Sequence, residues 1–295
     1  MDNREEVREF LTSRRARITP EQAGLPSGSR RRVPGLRRSE VAALADMSVE
    51  YYAKLERGNL AGVSPPVLEA VARALRLDDA ERAHLLNLAR AADGSDVLTR
   101  PRRRSTGKWT PHRSLQWTLD AITAGPAFVR NGRMDCLAAN DLARAFYSDL
   151  YAHPDNQGNL ARFQFLDPAS RRFYPDWDVF ADVAVAILRT EAGRDPYDKD
   201  LHDLVGELST RSEEFRTRWG AHNVRHHGTG TKRFHHPVVG ELTLAFEGLE
   251  MAAAPGLTLT VYAAEPGSAS EEALRLLASW NATGTRPPTR RSPAG

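Results

Sequence analysis

The sequence predicts a mixed protein: an all-α domain of five helices, then a larger α+β domain built on an antiparallel sheet. Three observations carry that prediction. Apolar residues recur with the helical period of about 3.6 through residues 1–92. Beyond residue 112, short runs of strand character flank turn signals such as Asn131-Gly132. Charge divides at the same place: residues 1–110 hold 21 Lys and Arg against 15 Asp and Glu, a net of +6, while the remainder carries −3. A basic portion beside an acidic one suggests that the first meets a polyanion and the second does not. The 295 residues are thus divided into an α-domain at 1–92, a linker at 93–111, an α+β domain at 112–280 and a disordered tail at 281–295.

Composition narrows the class. Hydrophobic residues make up 41% of the chain and charged residues 27%, enough apolar mass for a sizeable core. No run approaches the roughly 18 consecutive apolar residues of a membrane span. The opening Met1-Asp2-Asn3-Arg4-Glu5-Glu6 lacks the apolar core of a secretion signal. The single cysteine, Cys136, excludes an internal disulfide framework and a cysteine-rich zinc module. These are features expected of a cytoplasmic protein without membrane attachment. Apart from Lys54, Lys108, Lys199 and Lys232, every basic residue is Arg, a bias that GC-rich coding also produces.

The first helix falls at residues 4–16, with Val7, Phe10, Leu11 and Arg14 on one face. A Pro- and Gly-rich loop follows, containing Arg30-Arg31-Arg32. The deciding segment runs from Arg38 to Gly58. Two short helices crossing through a tight turn need a small residue at the crossing, supplied by Ala42. Asp46 stands in the turn, where a residue tolerant of positive φ belongs. Ser48 is placed to cap the second helix, and Gly58 to end it in a left-handed turn. Val41, Ala45, Met47, Tyr52 and Leu55 supply the buried positions. Together these mark a helix-turn-helix rather than an ordinary helical hairpin.

Ser64-Pro65-Pro66 then opens a fourth helix carrying Leu68, Val71, Ala72 and Leu75, and Asp78-Asp79-Ala80-Glu81 a fifth carrying Leu85, Leu88 and Ala89. Residues 1–92 therefore resemble the XRE family of regulators, whose fold is the phage-repressor type. The resemblance implies that the second helix of the motif enters the major groove of a double-stranded DNA operator. Ser48, Val49, Glu50, Tyr51, Lys54 and Arg57 are then the outward residues near the bases and backbone. Glu50 suits a cytosine amino group and Val49 a thymine methyl. Arg37 and Arg38 are placed for phosphates, as are some of Arg30, Arg31 and Arg32, for which a solvated loop is the equal alternative.

Residues 93–111 lack periodicity, and the Arg102-Arg103-Arg104 run fits either flanking phosphates or plain solvent. A helix with Leu115, Leu119 and Ile122 follows, ending at Gly125-Pro126. Ala127–Arg130 and Met134–Ala139 read as a hairpin around Asn131-Gly132. Helices are expected at 141–150, 175–192 and 197–220, strands at 238–246 and 257–263, and a closing helix at 270–280. Strands at both ends with helices between them suggest one antiparallel sheet packed by helices, an order similar to a PAS-like sensor.

Longer runs resemble a narrower group. They are Arg133-Met134-Asp135-Cys136-Leu137-Ala138-Ala139-Asn140, Asn159–Asp167, Tyr174-Pro175-Asp176-Trp177, and Gly230–Gly240, with Arg32–Arg38 fitting as well. The chain resembles the MmyB-like regulators, departing at Ala139, where that family commonly has Trp. The resemblance implies a homodimer whose PAS-like domain holds a small apolar, fatty-acyl-like ligand and needs no cofactor. Phe128, Phe146, Phe163, Phe165, Phe180 and Trp219 are rings able to line an apolar cavity or simply to fill the core. Asn140, Phe146, Phe163, Trp219 and His222 are the candidate ligand contacts.

Rival classes find less support. His222, His226, His227, His235 and His236 crowd one stretch, but neighbours on a strand face opposite ways, so His235 and His236 do not readily share an ion. There is no His-Glu-x-x-His helix, phosphate-binding loop or Gly-x-Ser-x-Gly elbow, so neither a metal site nor catalysis is expected. A ligand-independent dimerisation or protein-interaction module remains the alternative for the second domain.

Overall fold

The computed structural model describes residues 3–25, 35–93, 110–221 and 229–284. The Arg30–Arg32 run, Arg102–Arg104, His222, His226 and His227 lie outside them. In chain order the helices are α1 (Asn3–Arg17), α2 (Arg38–Leu44), α3 (Val49–Glu56), α4 (Pro65–Ala74), α5 (Asp79–Ala92) and α6 (Arg113–Ala121). Strands β1 (Ala127–Asn131) and β2 (Cys136–Ala139) precede α7 (Asp141–Phe146), α8 (Ser148–Ala152), α9 (Leu160–Leu166), α10 (Ala169–Phe173), α11 (Trp177–Arg194), α12 (Lys199–Arg211) and α13 (Glu213–Gly220). Then come β3 (Thr229–His236), β4 (Gly240–Glu250), β5 (Leu257–Ala264) and α14 (Ala269–Gly284). Among the described residues no helix is long and apolar enough to cross a membrane.

The chain forms two compact units, Met1–Lys108 with Asp182–His226, and Trp109–Ala181 with His227–Gly295. In the first, Val7, Phe10 and Leu11 of α1 share a core with Val41, Tyr52, Leu55, Leu68, Val71, Leu85 and Leu88. Each such side chain contributes about 1.5–3 kcal/mol when fully buried. Arg14 lies on the same face of α1 because its Nε sits 3.0 Å from the Glu81 carboxylate. Glu81 also closes the capping box of α5: its backbone N–H donates to Asp78 Oδ1 at 2.8 Å, and its own Oε2 accepts from the Asp78 N–H at 3.2 Å.

Asp182–His226 group with these helices rather than with the sheet, although the sequence reads 112–280 as one stretch. The physical link is a buried ionic cluster. Arg189 of α11 donates to the Glu6 carboxylate of α1 and to the backbone carbonyl of Trp219, whose ring lies 4.2 Å beneath the guanidinium carbon. His84 of α5 places Nε2 3.7 Å from the same Glu6 carboxylate. Gly193 is needed beside it, since a Cβ there would come within 2.6 Å of the His84 ring.

The second unit contains a five-stranded sheet of order β2-β1-β5-β4-β3, antiparallel throughout. Several expectations change in detail. The Asn131-Gly132 signal does not make a two-residue turn: the left-handed residue is Met134, at φ 67°. Asn131 instead braces a wider loop, its Oδ1 accepting from the Asp135 N–H at 3.0 Å and its Nδ2 donating to Asp135 Oδ2 at 2.8 Å. β3 was hidden by its polar content; only Phe234 and His236 of that strand are buried. Val238 therefore sits in the β3–β4 turn, which Gly240 completes at φ 75°. The helix expected at 141–150 breaks at Tyr147, and that at 197–220 breaks at Ser212, whose hydroxyl caps α13. α14 runs to Gly284, four residues into the expected tail.

Candidate DNA interface and ligand site

The α2–turn–α3 geometry follows from its residues. Asp46 takes the left-handed turn position at φ 52°, and the Met47 N–H closes the turn on the Ala42 carbonyl at 3.0 Å. Ser48 starts α3 with its hydroxyl accepting from the Tyr51 N–H at 3.1 Å. Gly58 follows the helix at φ 92°, where the chain passes so close to α1 that a Cβ would meet the Arg4 carbonyl at 2.4 Å.

This setting orients α3. Tyr52 and Leu55 are buried, while Glu50, Lys54 and Arg57 are exposed and Val49 is 41% accessible. Tyr51 is half-buried against the core. The hydroxyl of Ser48 is engaged as the helix cap. Arg37 is exposed and precedes α2, its N–H donating to Glu40 Oε2 at 2.7 Å. Arg38 behaves differently: its Nε and Nη2 donate to Glu56 Oε1 at 3.2 and 3.1 Å, which commits one face of the guanidinium to the protein.

Glu56 went unread in the sequence and is the anchor of the motif. Its buried carboxylate also accepts from Arg15 Nε and Nη2, at 2.9 and 3.0 Å, and from the Thr12 hydroxyl at 3.2 Å. Burial pushes the Glu56 carboxyl up, but the hydrogen bonds from Arg15 and Arg38 outweigh it and leave the group below its ordinary range. The same neighbourhood, burial first and Glu56 second, holds the Tyr52 phenol protonated. A charged residue one place beyond the apolar Leu55, on the inner arc of a helix, was the available signal.

In the second unit, rings gather on one face of the sheet. Phe146 meets Tyr147, Phe173, Phe234 and Tyr262 at centroid distances of 5.0, 5.3, 4.9 and 5.7 Å. Phe163 packs on Phe173 and Tyr174, both at 5.9 Å. Phe128 adds to the cluster through Tyr147, and Phe180 through Tyr174. Phe165 packs against Trp177, with centroids 5.8 Å apart.

Asn140 is buried, but its amide is fully engaged. Oδ1 accepts from the N–H groups of Ala127 and Ala143 at 3.0 and 2.8 Å, and Nδ2 donates to the Ile122 and Gly125 carbonyls at 2.7 and 2.9 Å. It caps α7 and ties that helix to β1. Trp219 belongs to the first unit, stacked on Phe215 with centroids 5.5 Å apart. His235 is exposed, whereas His236 is buried with Nε2 3.1 Å from the Ala145 carbonyl. The two histidines thus face opposite ways, as the strand period requires.

Lys232, two residues before Phe234 on β3, extends over the ring face of the sheet. Its Nζ lies 4.1 Å from the Phe246 centroid, 5.1 Å from Phe180 and 5.7 Å from Tyr262. Burial, reinforced by the positive charge of Arg130, lowers its pKa to about 7.

Comparison with known families completes the picture. The model of the MmyB-like transcription regulator ligand binding domain matches residues 111–277, and that of a helix-turn-helix domain matches residues 8–85. No curated protein matches the chain. The exposed face of α3 and the five-stranded sheet thus fall in matched segments, and the chain belongs to the MmyB-like transcription regulators, joining a helix-turn-helix to the ligand-binding domain of that family.

Proposed function

We propose that the protein is a homodimeric regulator that reads an operator with α3 and responds to a small apolar ligand held by its second unit. The observation that carries the DNA reading is the division of α3: Tyr52, Leu55 and Glu56 are locked inward, while Val49, Glu50, Lys54 and Arg57 are presented outward. Glu50 and Val49 face base edges in this reading, and Arg37 and Lys54 face phosphates. Arg38 contributes chiefly by holding Glu56, with its free edge turned to the backbone of the DNA. Two copies related by a two-fold axis read half-sites about one helical turn apart, or a multiple of it.

The aromatic face of the sheet, centred on Phe146 and Phe173, supports an apolar ligand within a PAS-like fold. The protein then acts by binding rather than catalysis, in the cytoplasm, where its DNA lies. Ligand changes DNA affinity only by binding one arrangement of the dimer better than another. The test is release: purified protein is denatured and its small molecules identified by mass spectrometry. A stoichiometric amphiphile supports the ligand reading. Protein that releases none, and whose melting temperature no apolar probe raises, contradicts it.

A second reading has its own support. The rings of Phe146, Phe173, Phe234 and Tyr262 touch one another at ordinary packing distances, as a filled core does. A ligand-independent dimerisation module would be built this way. Analytical ultracentrifugation of the stripped protein separates the two, because such a module dimerises without ligand and leaves DNA binding indifferent to added amphiphile.

A further inference from the structure

We propose that α11 from Asp182 onward, with α12 and α13, is a releasable clasp on the DNA-reading helices, latched by Arg189 on Glu6 and setting α3 through α1. The inference rests on the reading of α3 as the DNA-contacting helix and adds what controls its placement. Both Glu6 and Arg189 lie outside the helix-turn-helix segment at residues 8–85.

Two kinds of contact hold the first unit together. Among α1–α5 they are apolar: the core built on Val7, Phe10, Tyr52 and Leu88 draws its side chains from residues 7–92 and none from residues 182–221. The clasp is held by charge instead. Arg189 is fully buried, donates to the Glu6 carboxylate, and reaches the carbonyl and ring of Trp219 within the clasp itself. The attraction on its guanidinium comes first from Glu6 and then from Glu9, both of α1. The other buried cations do not compete for Glu6: Arg14 has Glu81, and burial holds the His84 pKa below 6.5, so that ring is neutral at pH 7. Gly193 presents bare backbone to the His84 ring, so no side chain interlocks at that point.

Such a seam opens more readily than an apolar one. When two buried ions separate into water, each recovers hydration that closure had removed, which offsets much of the attraction lost. An apolar seam instead exposes surface to water and gains nothing in return. A buried ion pair in place of packed hydrophobic groups gives up strength for a closure that is specific and reversible.

α1 carries the effect to the DNA face. Glu6 and Arg15 stand nine residues apart on that helix, a span of about 13.5 Å. Arg15 in turn holds Glu56 of α3 through two hydrogen bonds. With the clasp closed, α1 is gripped at both ends of this span and α3 keeps one angle. With it open, the Glu6 end is free and α3 samples several. Arg189 is thus a positioning residue for base reading, buried away from the DNA.

The test uses the full-length protein, its Arg189→Met variant and the double variant E6L/R189M, in which two apolar side chains replace the ion pair. R189M strands the Glu6 carboxylate and should lower hydrogen-exchange protection across peptides of 182–221 by about a hundred-fold or more, with peptides of α4 within about three-fold of the wild type. Its preference for a duplex selected by the wild type over a random-sequence duplex should fall about ten-fold, with affinity for the random duplex unchanged. The double variant should restore both, because an apolar pair closes the seam without a stranded charge. Protection lost equally in α4, or an R189M chain that no longer folds, would overturn the clasp, since 182–221 would then belong to one cooperative core. Protection lost from 182–221 with duplex preference intact would overturn the link to α3. A double variant that behaves like R189M would overturn the ion pair as the latch. A wild type with no preference for any duplex would overturn the DNA reading, and the setting of α3 with it.

Discussion

Arg15 and Glu56 meet in two near-parallel contacts, Nε to Oε2 at 2.9 Å and Nη2 to Oε1 at 3.0 Å. A guanidinium facing a carboxylate in this fork is the most directional ion pair available to a protein. Arg15 comes from the end of α1 and Glu56 from the end of α3, so the pair fixes the angle at which the DNA-reading helix leaves the core. Arg15 also donates Nη1 to the Leu36 carbonyl at 2.9 Å, which holds the chain just before α2.

Replacing Glu56 with Gln keeps the shape and removes the charge. Breaking a buried pair from one side costs about 3–5 kcal/mol. Because Arg38 remains half exposed and can rehydrate, a loss of about 2–3 kcal/mol is expected for E56Q. Hydrogen exchange read on peptides covering α3 should show the loss of protection there, with the sheet of the second unit unchanged.

The turn and the end of α3 respond in opposite ways to small substitutions. Asp46 occupies the left-handed region at φ 52°, which costs a residue with a Cβ about 1 kcal/mol. D46G should therefore stabilise the motif by roughly that amount. G58A should destabilise it by about 2 kcal/mol or more, since strain at φ 92° adds to the collision with Arg4. Urea melts of the two variants give both signs.

His84 makes the first unit sensitive to mild acid. Burial holds its pKa below the ordinary 6.5, outweighing the opposing pull of Glu6. As pH falls through 6.5, the unfolded chain takes up a proton that the folded protein refuses, so stability drops until the depressed folded pKa is reached. The slope over that window is at most about 1.4 kcal/mol per pH unit for one group. Glu56 acts lower on the scale: its depressed pKa stabilises the fold above the ordinary carboxyl range and ceases to as pH falls through the folded value. An H84L variant should flatten the stability profile between the His84 folded pKa and 6.5. An unaltered profile would contradict the assignment.

Legibility followed the range of the interactions. Ala42, Asp46 and Ser48 act within a few residues of themselves, as does the left-handed turn at Gly58, and these roles in the turn and caps were readable from spacing alone, whereas the approach of Gly58 to Arg4 was not. Glu56 was not, because its partners Arg15 and Arg38 stand 41 and 18 residues away. Arg189 and Glu6 escaped for the same reason. In the second unit the rings of Phe146 and Phe163 were legible as apolar mass, and both pack on Phe173. Trp219 looked no different in sequence, yet its place under Arg189 sets it in the other unit. Asn140 was read as a contact for ligand, whereas four backbone groups claim its amide, a pattern that spacing cannot reveal. β3 was missed because Thr229, Thr231, Lys232 and Arg233 mask an alternation that only Phe234 and His236 complete.

The central claim, that the outward face of α3 reads DNA bases, is tested most directly by selection. The full-length protein and its Glu50→Ala variant are each used to enrich duplexes from a random library at moderate salt. The account predicts a two-fold symmetric motif for the wild type, and for E50A the same motif with preference relaxed at one position in each half-site, by about 1–3 kcal/mol. An E50A motif identical to that of the wild type would contradict the orientation assigned to α3, and no enrichment by either protein would contradict DNA reading itself.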